Sequence, residues 1–208
     1  MSAGAMTTSQ ERSRTRRQRV LDAALQVFAE RGYNETAVDE IARVSDTSKG
    51  GLYFHFPSKQ ALFLALLDEA GDALLRRIEA AMTAESDPLA RGEAALREVL
   101  HAFAGHRLLA RFLLVEALGA GPEIGVRLNE VHARFADLIA GCLDEAVREG
   151  QIPPGDTQLA GHAWFGAVNQ IVLRWLLTDE PRNLEDAYPS LRSLLLFGVK
   201  GAGRENPR

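Results

Sequence analysis

The stretch Ser45–Lys59, SDTSKGGLYFHFPSK, gathers groups that bond phosphate oxygens and the edges of bases. A helix that lies in the major groove of DNA needs a small, polar outer face. Ser48, Lys49, Gly50 and Gly51 supply one, with Thr47 at the turn before them. Leu52 and Phe56 then point inward and anchor the helix. Tyr53 offers a ring and a hydroxyl to base or phosphate. His55 and Lys59 can bond phosphates, and Lys59 stands at a helix N-terminus that favours anions. Phosphate contacts position a protein, whereas groove-facing residues specify sequence. The plainer readings are Tyr53 as a packing residue and His55 as a structural histidine.

Such a surface needs helices to hold it. Over Arg16–Arg31, Val20, Ala24, Val27 and Phe28 share one face, and Gly32 follows as a stop. Thr36 reads as an N-cap whose hydroxyl accepts from the N–H of Asp39, opening a short helix over Ala37–Val44 with Ile41 inward. Ser45, Asp46 and Thr47 make a turn, and a third helix spans Ser48–Phe54. Pro57 ends it, and Ser58 caps a long helix from Lys59 into the low eighties. Three short helices with a three-residue polar turn between the second and third outline a helix-turn-helix.

Further helices are predicted over Pro88–Gly105, His106–Leu118, Ile124–Glu149, Asp156–Leu177 and Asn183–Lys200, the last with Pro189 inside it or at a kink. In the third of these, Leu128, Val131, Phe135, Leu138, Ile139 and Cys142 face inward. Strand alternation and hairpin turns are missing, so the chain reads as all-α.

Composition narrows the function. The chain has 208 residues, 46% hydrophobic and 25% charged, as soluble globular proteins do. A lone cysteine, Cys142, supports neither a disulfide framework nor a Cys-rich zinc site and fits a reducing cytoplasm. No segment approaches the ~20 apolar residues of a membrane span. The first ten residues are small and polar and are expected to be disordered. Net charge is −4, unevenly spread: residues 1–60 hold nine Lys/Arg against seven Asp/Glu, the remainder fifteen against 21. Arg12, Arg14, Arg16, Arg17 and Arg19 form a basic arm, which suggests nucleic acid or, more plainly, a solvated tail. No nucleophile elbow, phosphate loop or HExxH occurs, and His101, His106, His132 and His162 are scattered. No catalysis, metal or cofactor is expected.

Residues Arg16 to Leu67 resemble the DNA-binding domain of TetR/AcrR-type repressors. The usual pattern is Ile-Ala, a turn, Ser-Lys-Gly-Thr-Leu-Tyr-aromatic-His-Phe, a short gap and Lys. Ile41, Ala42, Ser48, Lys49, Gly50, Leu52, Tyr53, Phe54, His55, Phe56 and Lys59 match it. Gly51 replaces the usual Thr, Asp46 the turn glycine, Ser45 a small Ala, and Val38 a common phosphate-binding Thr. The DNA-contact set is therefore Arg16, Arg17, Thr36, Thr47, Ser48, Lys49, Gly50, Gly51, Tyr53, His55 and Lys59.

The resemblance implies an N-terminal helix-turn-helix domain (1–66) joined to a helical ligand-binding and dimerisation domain (67–208). It also implies a homodimer on double-stranded operator DNA, paired through the last two helices. Trp164, Val168, Ile171, Val172 and Trp175, with Leu191, Leu194, Leu195 and Val199, are expected to face the second copy. A ligand cavity is expected among Phe103, Phe112, Val115, Leu118, Phe135, Trp164 and Val168, with Glu116 and Asn169 as polar groups that orient a ligand or bond their surroundings. LLVEALGAGPEIGVRLNEVHARFADLI, with AWFGAVNQIVLRWLL, resembles the family branch that responds to long-chain acyl-coenzyme A. Arg107, Arg111 and Arg127 would meet its phosphates. Drug-like apolar effectors are the rival, and a helical protein-binding adaptor is the alternative of another class.

Overall fold

Val20, Ala24, Val27 and Phe28 are buried, as their spacing requires, on a first helix α1 (Ala3–Glu35). The computed structural model describes residues 3–201, with side chains from 13 to 198. Helix α1 begins at Ala3, so most of the segment expected to be disordered is helical. Gly32 breaks it at φ 81°, a left-handed conformation that costs glycine little. Then come α2 (Val38–Val44) and α3 (Lys49–His55). Helix α4 (Lys59–Met82) runs unbroken through residues 66 and 67, where the boundary between the two expected parts falls.

The second part is α5 (Pro88–Gly105), α6 (Arg107–Arg111), α7 (Pro122–Arg148), α8 (Thr157–Thr178) and α9 (Tyr188–Gly201). Asp87 and Asp156 cap α5 and α8, accepting from Ala90 N at 2.8 Å and Leu159 N at 2.9 Å. Pro122 opens α7 two residues before the predicted start. Pro189 lies in the first turn of α9 and makes no kink. Helix α7 packs antiparallel on α8, and Gly161 makes this possible. A Cβ there would lie 2.5 Å from the Ala136 carbonyl oxygen.

The predicted helix His106–Leu118 is replaced by three pieces. After α6 the chain widens into a π-turn over Phe112–Glu116 and tightens into a 3₁₀ turn over Ala117–Gly119. Phe112, Leu113 and Leu114 are all buried, because neighbours surround this segment on several sides. Three consecutive buried residues leave no helical period to read.

Candidate nucleic-acid interface and apolar cavity

The turn between α2 and α3 closes through backbone bonds. Thr47 N–H donates to Ala42 O and Ser45 N–H to Ile41 O, both at 2.9 Å. Asp46 adopts φ 50° where a glycine is usual. Ser45 is buried and its hydroxyl donates to Ala42 O. Ser48 caps α3, its Oγ accepting from Gly51 N at 3.1 Å. Leu52 and Phe56 are buried and hold α3 down, as expected.

The outer face of α3 is then Ser48, Lys49, Gly50, Tyr53 and Phe54, all exposed, with Gly51 and His55 half-buried beside it. A Cβ on Gly50 would meet nothing within 4 Å, so no packing demand fixes a glycine there. Its bare backbone lets α3 approach a surface closely. Phe54 is 83% exposed, and its ring meets His55 at 5.3 Å. Sequence reasoning passed over Phe54 as a contact, although it stands four residues after Gly50 on the same face. It also passed over Arg43, an exposed cation in the last turn of α2. Lys49 pairs with Asp39 at 2.8 Å, and that hydrogen bond and charge raise its pKa. The pair is solvent-exposed and holds the lysine only weakly.

Three expected contacts are placed otherwise. Lys59 Nζ donates to the carbonyls of Tyr33 (2.8 Å), Thr36 (3.1 Å) and Asn34 (3.3 Å), over the Tyr33 ring. That engages all its donors and ties the end of α1 to α4. Thr36 is 3% exposed and its hydroxyl donates to Gly32 O at 2.6 Å. It does not cap α2, whose cap position is Ala37 with no side-chain bond. Arg17 folds back onto Glu69 at 2.8 Å and lies over the Phe56 ring. Arg16, by contrast, is exposed on α1, and Thr47 is half-buried. Arg12 lies outside the described side chains.

Between α4, α5, α7 and α8 lies a narrow apolar cavity of about 70 Å³. Phe103, Phe135, Trp164, Val168 and Asn169 line it. Sequence reasoning missed Leu74 and Ile78 of α4, Leu96 and Val99 of α5, Leu113, Leu114, His132 and Phe165. Leu74 and Ile78, like Leu96 and Val99, repeat at the helical spacing of core residues, and nothing local distinguishes core from wall.

The other ligand candidates lie elsewhere. Arg107 bonds Asp179 at 2.6 Å and the Trp175 and Leu176 carbonyls, stacking over Trp175. Arg111 pairs with Glu116 at 3.2 Å, and Arg127 with Asp68 at 2.6 Å and with Glu130. Hydrogen bonds to Asp68 and then Glu130 raise the Arg127 pKa further. Phe112 is fully buried, its ring 4.8 Å from Phe63, and Val115 and Leu118 do not reach the cavity. Glu116 lies against Gly32, where a Cβ would stand 3.0 Å from its Oε2.

The face expected to meet a second copy is partly turned inward. Trp164, Val172, Trp175, Leu191 and Leu195 are buried within the chain, because α8 packs the first three onto its neighbours and α9 packs the last two onto α5 and α8. Val168 and Ile171 are half-buried, and Val199 lies outside the described side chains. Leu194 is exposed, joined by Leu159, Leu177 and Phe197.

A helix-turn-helix with a bare recognition face, set on an all-helical body with an apolar cavity, defines a class of ligand-linked regulators. Residues 20–66 match the family described as "Bacterial regulatory proteins, tetR family", and residues 67–198 that described as "YsiA-like protein, C-terminal region". The chain belongs to the tetR family of bacterial regulatory proteins, which is not a family of enzymes. It is 25% identical over 190 residues to the fatty acid metabolism regulator protein of Bacillus subtilis, covering 91% of this chain and 98% of that one. It is 30% identical over 165 residues to the HTH-type transcriptional regulator RutR of Escherichia coli strain K12, 76% of each chain. The solved structure of FadR from Bacillus subtilis in complex with stearoyl-CoA superposes with a TM-score of 0.82 at 25% identity, covering 88% of this chain and 98% of that one. Among the described residues, no helix is long and apolar enough to cross a membrane.

Proposed function

We propose that this chain is a ligand-responsive transcriptional repressor that binds palindromic operator DNA as a homodimer and is released by a long-chain acyl-coenzyme A. One observation carries the reading. The π-turn serves both halves of the molecule: Leu113 and Leu114 line the cavity, while Phe112 packs on Phe63 and Glu116 lies against Gly32. An occupant that moves the leucines also moves the contacts holding the helix-turn-helix.

The size of the cavity bears on how a ligand would enter. About 70 Å³ is far below the roughly 300–1,000 Å³ of ligand pockets, so a long acyl chain does not fit the cavity as it stands. An acyl chain must part α4, α5, α7 and α8 to enter. It therefore prefers a different conformation, and its differential affinity shifts the spacing of two recognition helices. Relatives that regulate fatty acid metabolism, one bound to stearoyl-CoA, support this ligand class. The small cavity favours a compact, drug-like apolar effector as the second reading.

In this reading residues 1–66 bind DNA and residues 67–208 bind effector and partner, in the cytoplasm. Lys49, Gly50, Gly51, Tyr53 and Phe54 enter the groove, and Arg16 and His55 meet phosphates. Leu159, Leu177, Leu194 and Phe197 bury against the second copy.

A gel shift tests the proposal, using DNA upstream of the protein's own gene and its neighbours, with and without palmitoyl-CoA. Specific binding released by the ester supports both parts. Binding that ignores the ester leaves a repressor with another effector. No specific shift at low or moderate salt overturns the repressor reading in favour of an adaptor.

A further inference from the structure

The cavity wall is apolar apart from three side chains, His132, Asn169 and the indole of Trp164. His132 is unusual among them. Its residue is half-exposed, yet its Nε2 is shielded from solvent and bonds no protein group among the described residues. Its ring stands 4.8 Å from that of Phe165. His132 thus lines the apolar slot while part of its surface meets solvent, with one ring nitrogen shielded and unpaired among the described residues.

The helix register places its neighbours. Gly161 of α8 packs on Ala136 and Ala140 of α7, and Phe165 faces His132. Asn169 follows Phe165 by four residues on α8, about 6 Å further along the axis than the level of His132. Deeper in lie Leu74, Ile78, Leu113 and Leu114. An effector with a long apolar tail inside and a polar head outside must pass its junction atoms beside His132.

A buried polar nitrogen without a partner is costly, and a ligand group that bonds it removes that cost. Burial lowers the His132 pKa, which keeps the ring neutral. Among the described residues, no lysine, arginine or carboxylate lines the cavity. A neutral imidazole with no cation beside it suits a neutral acceptor better than a phosphate. Resting on the acyl-coenzyme A reading above, we propose that His132 is a specificity-determining residue whose Nε2–H donates to the thioester carbonyl oxygen of the effector. It reports where the acyl chain ends and selects acyl thioesters over other long apolar molecules.

The test compares two ligands that differ only in that oxygen: palmitoyl-CoA and the S-hexadecyl thioether of coenzyme A. Binding is followed by the fluorescence of the full-length protein, since Trp164 lines the cavity, at concentrations below micelle formation. The wild type is expected to favour the thioester by about tenfold, the worth of one hydrogen bond. His132→Leu brings the ratio to about one, and His132→Gln, which keeps an N–H donor, restores part of it. A purely structural role would weaken both ligands together and leave the ratio unchanged. Equal binding of both ligands by the wild type, or an unchanged ratio in His132→Leu, overturns the inference alone. Failure of both to bind the wild type overturns the acyl-coenzyme A reading and the inference with it.

Discussion

The ring of Phe112 packs 4.8 Å from that of Phe63, at the point where the π-turn meets helix α4. Phe63 in turn touches Phe28 at 4.9 Å and Tyr33 at 5.1 Å, so one aromatic cluster joins the cavity wall to helix α1. Phe112→Ala is expected to cost about 3–5 kcal/mol, the range for deleting a buried phenylalanine. Phe112→Leu costs less. In the leucine variant, operator binding should persist while its release by effector weakens. Denaturant unfolding measures the first effect, and gel shifts with graded effector measure the second. Unaltered release would separate this cluster from signalling.

Lys49 and Lys59 look alike in the sequence and should behave differently. Lys49→Ala should leave thermal stability unchanged and flatten the salt dependence of DNA binding by about 0.9 in the log–log slope, the value for one lost phosphate contact. Lys59→Met removes a donor to three carbonyls and is expected to cost about 1–3 kcal/mol of stability, with the salt slope preserved. A reversed outcome would return Lys59 to the DNA face.

Gly32 combines a left-handed backbone with the close approach of Glu116. Gly32→Ala is expected to lose about 1–3 kcal/mol through backbone strain, with a further loss as the carboxylate is displaced. Calorimetry checks this. A neutral substitution would show that the junction relaxes freely.

Charge on the exposed face of α9 should separate the proposed dimer. Leu194→Asp with Phe197→Asp places carboxylates where apolar groups are expected to meet. Sedimentation should then give a monomer that keeps its helical circular dichroism and loses operator affinity. A persistent dimer would move the interface elsewhere.

Stability should also respond to pH through His132. Burial holds its folded pKa below the ordinary value of about 6.5, so between the two values the unfolded chain binds more protons. Stability therefore rises with pH across that window and falls as pH drops below about 6.5. Melting temperatures between pH 7.5 and 5.5 should show the decline, and His132→Leu should reduce it. Glu93 acts lower. Its bond from Arg192 depresses its pKa, so its contribution fades only as pH falls below the ordinary glutamate range.

The sequence by itself determined most of the helices, the turn and the outer face of α3. Those features are local: Val20, Ala24, Val27 and Phe28 repeat at the helical period, Gly32 and Pro57 interrupt it, and SKGGLYFHF places its inward and outward residues within two turns. Only the tertiary structure decided which charges are free and which walls are hollow. Lys59 reaches carbonyls 23 to 26 residues away, and Arg17 a carboxylate 52 residues away. The π-turn has no period to read because it is enclosed on several sides. Leu74 and His132 look like ordinary helix residues until α5, α7 and α8 close around them. Helix propensity acts over four residues. Cavity, ion pair and interface depend on chain segments brought together from far apart, and their geometry exists only once the helices have packed.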